Sequence, residues 1–210
     1  MGLGARSIMA ATTLLTWHDN PLVAIDVETT GRTPGFHEVI QIAIVPLNCH
    51  IKPTGSYFYT NIKPEHPERI VHEATEAHGI TLETLMQAPD RFEVAEMLWD
   101  WFQDLELIPG KKLLPLTHGG TFDLPFISDL LTPTLHDEIF GYPGRDTMSL
   151  VVALMDKAAF SGQKINFRRA GLSYVCEDLG IQFDGHHDAL ADALVTAEVY
   201  RTLLQRGDWW

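Results

Sequence analysis

Two carboxylates stand two residues apart inside a strongly apolar, β-branched run, the segment 22–31. The run has the length of a strand and ends in Thr-Thr-Gly, so it predicts a buried strand closed by a turn. Asp26 and Glu28 would then project from one face, roughly 6 to 7 Å apart along the backbone. Two like charges on a core strand destabilise the fold unless a cation lies between them, and a divalent metal is the simplest candidate. The alternative is that the strand leaves the core here and the two carboxylates begin a solvated loop.

A third carboxylate, Asp123, lies where a short apolar run passes through a Gly-Gly turn into a helix. Pro125 is tolerated in the first turn of a helix, and apolar residues follow it at helical spacing. Asp123 is therefore expected at a helix start, close to the end of a strand. From the local sequence, a helix N-cap is the simpler interpretation of this residue.

The segment 185–192 supplies a histidine and a fourth carboxylate. His187 and Asp192 would diverge by about 140° if both were helical. They can converge if Asp188 is the N-cap and His187 lies in the loop before it. Asp192 would then project from the first turn, where the positive end of the helix stabilises its charge. The pattern predicts a mobile base beside a fixed ligand.

The elements that must position these side chains begin with strands and continue with helices. β-Branched and aromatic runs predict an antiparallel meander of strands over residues 22–31, 39–45 and 55–62, and a proline-weakened strand over 112–117. Helical spacing of apolar residues predicts a helix that begins near residue 123 and further helices over residues 70–77, 81–86, 91–107, 148–160, 170–179 and 193–204.

Composition indicates a globular protein. At 210 residues and 45% hydrophobic content the chain can bury one sizeable core, so we expect one domain over 21–210 after a tail or edge extension over 1–20. Cys49 and Cys176 lie in segments that resemble apolar structure and lack zinc-site spacing, which fits a reducing cytoplasm. No apolar run approaches the ~20 residues that a bilayer requires, so no membrane partner is expected.

The charge balance limits the partners of the chain. Acidic residues number 28 against 15 basic ones, so affinity for nucleic acid must come from local basic patches and bound cations. Lys164, Arg168 and Arg169 form the densest basic cluster, in a loop where a phosphate backbone could bind. A solvated loop explains this cluster equally well.

Four motifs, in order along the chain, resemble the successive motifs of the DnaQ-like (DEDDh) 3′–5′ exonucleases. They span residues 22–200 and are Asp26-x-Glu28-Thr29-Thr30-Gly31, His78-Gly79-Ile80-Thr81, Phe122-Asp123 and His187-x4-Asp192. No single motif would suffice, but four in the order of the family form a specific pattern. The chain departs from the family at residues 118–121, His-Gly-Gly-Thr, where members often have a His-Asn-Ala-like run.

The resemblance implies an RNase H-like α/β fold, a mixed five-stranded sheet flanked by helices, and two Mg²⁺ or Mn²⁺ ions. Asp26 would bridge the ions, which lie roughly 4 Å apart in such sites. Glu28 and Asp192 would complete the shell of the first ion, and Asp123 would help to hold the second through water. Four carboxylates and two dications leave a neutral site, so an acidic chain can accept phosphate.

The resemblance also assigns the general base. His187 would deprotonate the attacking water, because imidazole accepts a proton near neutral pH. Only His187 has the five-residue offset to Asp192, whereas the neighbouring His186 is expected to be a solvated loop residue.

The implied activity is removal of nucleoside monophosphates from a nucleic-acid 3′ end, with single-stranded DNA favoured because this chain can neutralise few phosphates. Phe122 and His78 are candidates to stack on terminal bases, and Thr29 and Thr30 to present amides or hydroxyls to the terminal nucleotide. A polymerase or another replication protein is compatible as a protein partner. An RNA-trimming exoribonuclease and a non-catalytic nucleic-acid-binding or scaffold protein of the same fold remain alternatives.

Overall fold

The computed structural model describes residues 14–164, 166–183 and 187–206. Within these ranges the chain forms one mixed sheet of six strands, β1 (Thr16–Trp17), β2 (Asn20–Thr29), β3 (Val39–Pro46), β4 (Phe58–Asn61), β5 (Leu114–Thr117) and β6 (Arg145–Asp146). A short 3₁₀ helix (Pro67–Arg69) and the following α-helices accompany it: α1 (His72–His78), α2 (Leu82–Met86), α3 (Arg91–Asp104), α4 (Gly120–Leu130), α5 (Pro133–Ile139), α6 (Thr147–Phe160), α7 (Leu172–Leu179) and α8 (Ala189–Gln205).

Strand β2 lies at the centre of the sheet, whose order is β4-β3-β2-β5-β6, with β1 paired to β2 outside that order. It runs antiparallel to β3, with Glu28 opposite Gln41, and parallel to β5. The antiparallel pair follows from a direct connection, whereas the parallel pair needs the crossover that α1, α2 and α3 provide. The predicted RNase H-like mixed α/β sheet is confirmed, with six strands instead of five because the two-residue β1 adds a short hairpin.

Helices cover both faces of the sheet because β2 is apolar on both. Alternate residues from Val23 to Val27 pack in a core with residues of α3 and α4. Ala24, on the opposite face, packs against the alanine-rich side of α8. By strand alternation, Asp26 and Glu28 continue the face of Ala24 and are directed toward α8. A further cluster joins α6, α7 and α8 and holds α8 from its other side.

Helix ends follow local capping chemistry. The Asp90 carboxylate begins α3 in a capping box, and α7 ends at Gly180 in the left-handed conformation, as its position predicted. Helix α3 stops at Asp104, three residues before the predicted end at 107. Helix α5 and strand β6 were not predicted. The Thr132 cap and following proline were the only local sign of α5, and the two residues of β6 depend on pairing with β5.

Cys49 is exposed, so its expected place in apolar structure is wrong: Asn48 and Lys52 close a turn around it. Cys176 is buried in α7, and burial raises the pKa of its thiol to about 11. None of the helices in the described ranges combines the length and apolar character needed to cross a membrane.

Candidate active site

The acidic pair on β2 lies at the end of the central strand, just before a bulge between Glu28 and Thr29. Burial raises the pKa of Asp26 well above its usual value, and the charges of Asp123, Asp192 and Glu28 raise it further. Burial also raises the pKa of Glu28 to about 8, with additional repulsion from Asp192 and Asp123. Asp123 and Asp192 therefore lie close enough to oppose ionisation of Asp26 and Glu28, as expected of a site built for a cation.

The start of α4 brings Asp123 to this pair. Gly119 adopts the left-handed conformation (φ 96°) at the N-cap, so Asp123 is not the cap that the local sequence favoured. A Cβ added to Gly120, the first helical residue, would lie 2.3 Å from Thr117 Oγ1, which shows how closely the helix approaches β5. Asp123 is 4% exposed. Burial and the charge of Asp146 are the main causes that raise the pKa of Asp123 to about 7, against hydrogen bonds from the backbone that lower it.

Asp146, which the sequence reasoning did not single out as part of the site, anchors the loop before α4. Its carboxylate accepts hydrogen bonds from the Gly119 amide (2.7 Å) and the Met148 amide (3.2 Å), which joins the start of α6 to the start of α4. Burial acts to raise the pKa of Asp146, but hydrogen bonds from Ser149 and Gly119 hold it below its usual value. The sequence did contain a sign of the role of Asp146: an Asp-Thr pair directly before an apolar helix is the pattern of an N-cap.

His118, at the departure from the family pattern, joins three segments. Its Nδ1 lies 2.8 Å from the Thr147 hydroxyl and its Nε2 lies 2.8 Å from the Ala170 carbonyl. Burial lowers the pKa of His118, so the ring is neutral near pH 7 and its Nε2–H donates to Ala170. His118 therefore supports the loop before α4 instead of facing a substrate.

The N-terminus of α8 carries the remaining groups. Asp188 caps the helix by accepting a hydrogen bond from the Ala191 amide (3.0 Å), and His187 precedes the helix, as predicted. Asp192 lies in the first turn and is 6% exposed. His187 Nδ1 lies 3.9 Å from Asp192 Oδ2, and the histidine side chain is 53% exposed. An accessible imidazole thus lies beside a buried carboxylate. His186 lies outside the described residues.

The donor set suits a hard divalent cation. Glu28, His187 and Asp192 each offer one ligand atom, and these atoms lie within 4.8 Å of one another. Within residues 14–164, 166–183 and 187–206, no lysine or arginine forms an ion pair with Asp26, Glu28 or Asp123. A set dominated by carboxylate oxygens fits Mg²⁺ or Mn²⁺. Such an ion would supply positive charge beside Asp26, Glu28 and Asp123.

The two threonines after the acidic pair are largely enclosed. Thr30 is fully buried, its amide donates to the Glu38 carbonyl and its hydroxyl accepts from the Glu38 amide, both at 2.9 Å. Glu38 thus already binds the Thr30 amide and donates to its hydroxyl, and the contact of Thr30 with a nucleotide stays a prediction. Thr29 is 7% exposed, and its hydroxyl donates to the Gly31 carbonyl (2.7 Å).

The two proposed stacking residues occupy different surroundings. Phe122 is half-buried and packs on Phe126, with ring centroids 4.9 Å apart, so part of its ring belongs to the core. His78 Nδ1 accepts a hydrogen bond from the Ile80 amide (2.9 Å), so the proton of the neutral ring lies on Nε2. Burial lowers the pKa of His78, and the charge of His187 lowers it further. His78 is thus a neutral donor in the neighbourhood of His187.

Two arginines of the predicted basic cluster contact side chains of the protein itself. Arg168 contacts the carboxylates of Glu177 (2.6 Å) and Asp178 (2.9 Å). The Arg169 guanidinium lies over the Tyr174 ring, 4.8 Å from its centroid. The interpretation of this loop as a phosphate-binding patch is therefore wrong for Arg168, because carboxylates of the same chain already compensate its charge.

A mixed RNase H-like sheet with carboxylates from three elements gathered near the end of its central strand defines a nuclease-type site. The family model described as "Exonuclease" matches residues 23–200 of this chain. The chain therefore belongs to the exonuclease family, and its recognition as a DnaQ-like (DEDDh) member is confirmed. This is an enzyme family of 3′–5′ exonucleases, as the sequence predicted.

Individual relatives cover most of the chain and include a DNA polymerase subunit and a ribonuclease. DNA polymerase III subunit epsilon of Pasteurella multocida (strain Pm70) is 31% identical over 188 residues, which are 86% of this chain and 67% of that protein. Ribonuclease T of Buchnera aphidicola subsp. Baizongia pistaciae is 25% identical over 198 residues, 89% of this chain and 87% of that one. Exonuclease I from Methylocaldum szegediense superposes with a TM-score of 0.68 at 22% identity. This last match covers 89% of the chain but only 41% of exonuclease I, and it shows the shared fold.

Proposed function

We propose that the protein is a metal-dependent 3′–5′ exonuclease that releases nucleoside monophosphates from single-stranded DNA. One observation carries this proposal: four carboxylates from β2, α4 and α8 converge beside an exposed histidine, and the charges of Asp123 and Asp192 help to raise the pKa values of Asp26 and Glu28. Packing alone gives no reason to gather buried like charges, whereas phosphodiester hydrolysis by bound dications requires them.

Asp26, Glu28, Asp123 and Asp192 would hold two Mg²⁺ or Mn²⁺ ions, with Asp26 shared between them. The ligand atoms of Glu28 and Asp192 lie within 4.8 Å of each other, so both can serve the same ion. Bound dications would activate the attacking water and stabilise the leaving 3′ oxygen. The chain contributes ligands that burial and helix packing hold in place, so little reorganisation is needed when the substrate binds.

His187 accepts the proton of the attacking water. The side chain lies in the loop before α8 and is exposed, so its ring can reach a water molecule at the carboxylate cluster. Imidazole is the side chain best suited to accept a proton near neutral pH. Asp192, at 3.9 Å from Nδ1, remains close to the ring when the proton has been transferred.

A single strand, rather than a duplex, is the form of nucleic acid that the charge distribution favours. The net charge is −13 and the charge of Arg168 is compensated by Glu177 and Asp178 of α7, so few phosphates of a duplex can be bound. The similarity to a DNA polymerase III subunit supports DNA as the substrate and a polymerase or another replication protein as the partner. The second candidate is RNA trimming, which the similarity to a ribonuclease T over 87% of its length favours. In either case we propose that residues 21–210 act as one domain.

The test compares DNA and RNA oligonucleotides of matched sequence, labelled at either end, in single-stranded and duplex form. With Mg²⁺ or Mn²⁺, 5′-labelled single strands should shorten stepwise and 3′-labelled strands should release a labelled monophosphate at once. EDTA should stop both reactions. Faster digestion of RNA would replace the DNA proposal with the exoribonuclease. Binding without cleavage in either metal would instead indicate a non-catalytic nucleic-acid-binding protein.

Two neighbouring histidines allow a matched test of the base. His187→Ala should reduce the rate by about 100-fold or more, as loss of a general base does. His186→Ala should remain close to wild type, because we assign it no proton-transfer role. A greater loss in His186→Ala would overturn the assignment.

A further inference from the structure

Beside the carboxylate cluster, a series of side-chain hydrogen bonds joins β3 and β4 to the start of α8. Gln41 on β3 is 3% exposed. Its Oε1 accepts from the Ala189 amide (2.8 Å), and its Nε2 donates to Asn61 Oδ1 (2.8 Å) and to the Tyr59 hydroxyl (3.0 Å). The Tyr59 hydroxyl in turn donates to Asp188 Oδ2 (2.6 Å). Two strands that carry no metal ligand are thereby connected to the helix that does.

These hydrogen bonds begin and end at the start of α8 and pass through Gln41 on the sheet. On the sheet, Gln41 is the direct partner of Glu28 in the β2–β3 ladder. On the helix, Asp188 immediately follows His187, and the first turn that it caps contains Asp192. The hydrogen bonds therefore relate the strand of one proposed metal ligand to the loop of the proposed base.

The two oxygens of Asp188 have separate partners. Oδ1 accepts from the Ala191 amide and caps α8, whereas Oδ2 accepts from Tyr59. The helix can thus keep its cap without Tyr59, so the second bond restrains the direction of Asp188 and of the adjacent loop. Burial raises the pKa of Tyr59, and the hydrogen bond to Asp188 raises it further, so the hydroxyl stays protonated and remains a donor.

We propose that Tyr59, oriented by Gln41, is a positioning residue that fixes the position of the His187 loop relative to Glu28. The inference rests on the proposed exonuclease function and deepens it by explaining how an exposed base keeps its place. Tyr59 acts through Asp188, so its hydroxyl affects the rate of the chemical step and not the affinity for nucleic acid. Small displacements of a catalytic group from its reacting partner cause large losses in rate.

The direct test is Tyr59→Phe, which keeps the ring and removes only the hydroxyl. With a single-stranded oligonucleotide and Mg²⁺, kcat should fall by about tenfold to 100-fold, KM should stay within about twofold, and the melting temperature should change little. Tyr57→Phe is the matched control, because Tyr57 is exposed on the same segment and lies outside this hydrogen-bond chain. It should retain the wild-type kcat.

A double-mutant cycle shows whether Tyr59 acts through Asp188. Asp188→Asn keeps an oxygen that can cap α8, and the Tyr59→Phe/Asp188→Asn double variant should be no slower than the slower single variant. Additive losses, or a raised KM with unchanged kcat in Tyr59→Phe, would overturn the inference and assign the ring to another role. An inactive wild type would overturn the proposed function itself, whereas an active wild type with a fully active Tyr59→Phe would overturn only the positioning role.

Discussion

The carboxylates of the site differ in how strongly they resist ionisation. Burial raises the pKa of Asp26 well above the usual range, and the charges of Asp123, Asp192, Glu28 and a further aspartate raise it further. Backbone hydrogen bonds partly relieve Asp123, whose pKa is raised to about 7. Metal binding must therefore displace protons from the site, so metal affinity and pH are linked. Electrostatic repulsion is the destabilising contribution that the fold tolerates for function.

Replacing the Asp26 carboxylate should change stability and activity in opposite directions. Asp26→Asn is isosteric, and without metal at pH 8 it should raise the melting temperature by about 2 °C or more, because folding no longer requires burial of a repelled carboxylate or uptake of the proton that neutralises it. The same substitution should lower exonuclease activity by more than about 100-fold. Asp156→Asn, on the exposed side of α6, is the control and should change neither quantity. A destabilised Asp26→Asn, or one with near-wild-type activity, would contradict the metal-bridging role.

The raised pKa values also predict how stability varies with pH. For Glu28 the pKa rises from 4.5 to about 8 on folding, so between these values the folded state binds more protons than the unfolded state. The stability of the metal-free protein should therefore fall as pH rises through this window. Melting curves in EDTA from pH 5 to 9 measure the slope.

Two variations of that titration identify the carboxylates as its cause. Excess Mg²⁺ should stabilise the protein more at pH 8 than at pH 5, because the ligands are ionised at the higher pH without competition from protons. Glu28→Gln should flatten the slope in EDTA. Metal-free stability that increases steadily up to pH 9 would be inconsistent with the repulsive cluster.

The elements could be predicted from the sequence where the signal was local. The alternation that directs Asp26 toward α8 and the cap formed by Asp188 each depend on neighbouring residues, and both are confirmed. The Gly-Gly turn locally indicated that Asp123 lies near a helix start, as it does in α4. The support of that turn by Asp146 comes from a distant segment, which no local pattern contains. The neutralisation of Arg168 by α7 likewise exists only in the folded chain.

The close contact between α4 and β5 can be tested by adding one methyl group. Gly120→Ala should place its Cβ against Thr117 Oγ1, shift the first turn of α4 and with it Asp123, and destabilise the protein by about 1–3 kcal/mol. Activity should fall more than this stability change explains, because a metal ligand moves. Measuring melting temperature and kcat together separates the two effects.

A second-site change identifies the cause of the Gly120→Ala defect. Thr117→Ala removes the Oγ1 atom that the new methyl would meet, so the double variant should recover much of the lost activity. Gly171→Ala is the control: its nearest neighbour would be Tyr174 at 3.7 Å, an ordinary contact. If the double variant is no better than Gly120→Ala, the loss does not come from this contact.

Over the whole molecule, negative charge dominates, and several lysine and arginine side chains contact oxygens of the protein itself. The net charge is −13. Besides Arg168, several cations are held by the protein's own oxygens: Arg91 by the Asp129 carbonyl, Lys111 by Asp19 and the His18 carbonyl, and Arg201 by Glu198 and Gln205. The protein is therefore expected to bind nucleic acid chiefly at the strand end that enters the carboxylate site, with few contacts to phosphates along a duplex.

This charge distribution predicts a shallow dependence of substrate binding on salt. The logarithm of KM for a single-stranded oligonucleotide should rise with log[salt] at a slope that corresponds to fewer than about three phosphates, and single strands should be digested faster than blunt duplexes. Arg32→Ala, an exposed cation just after β2, should weaken binding and lower this slope by about one. Arg168→Ala should leave the slope nearly unchanged, because Glu177 and Asp178 already compensate its charge. A steep salt dependence together with faster digestion of blunt duplex would instead require an extended basic surface and would contradict the preference for single strands.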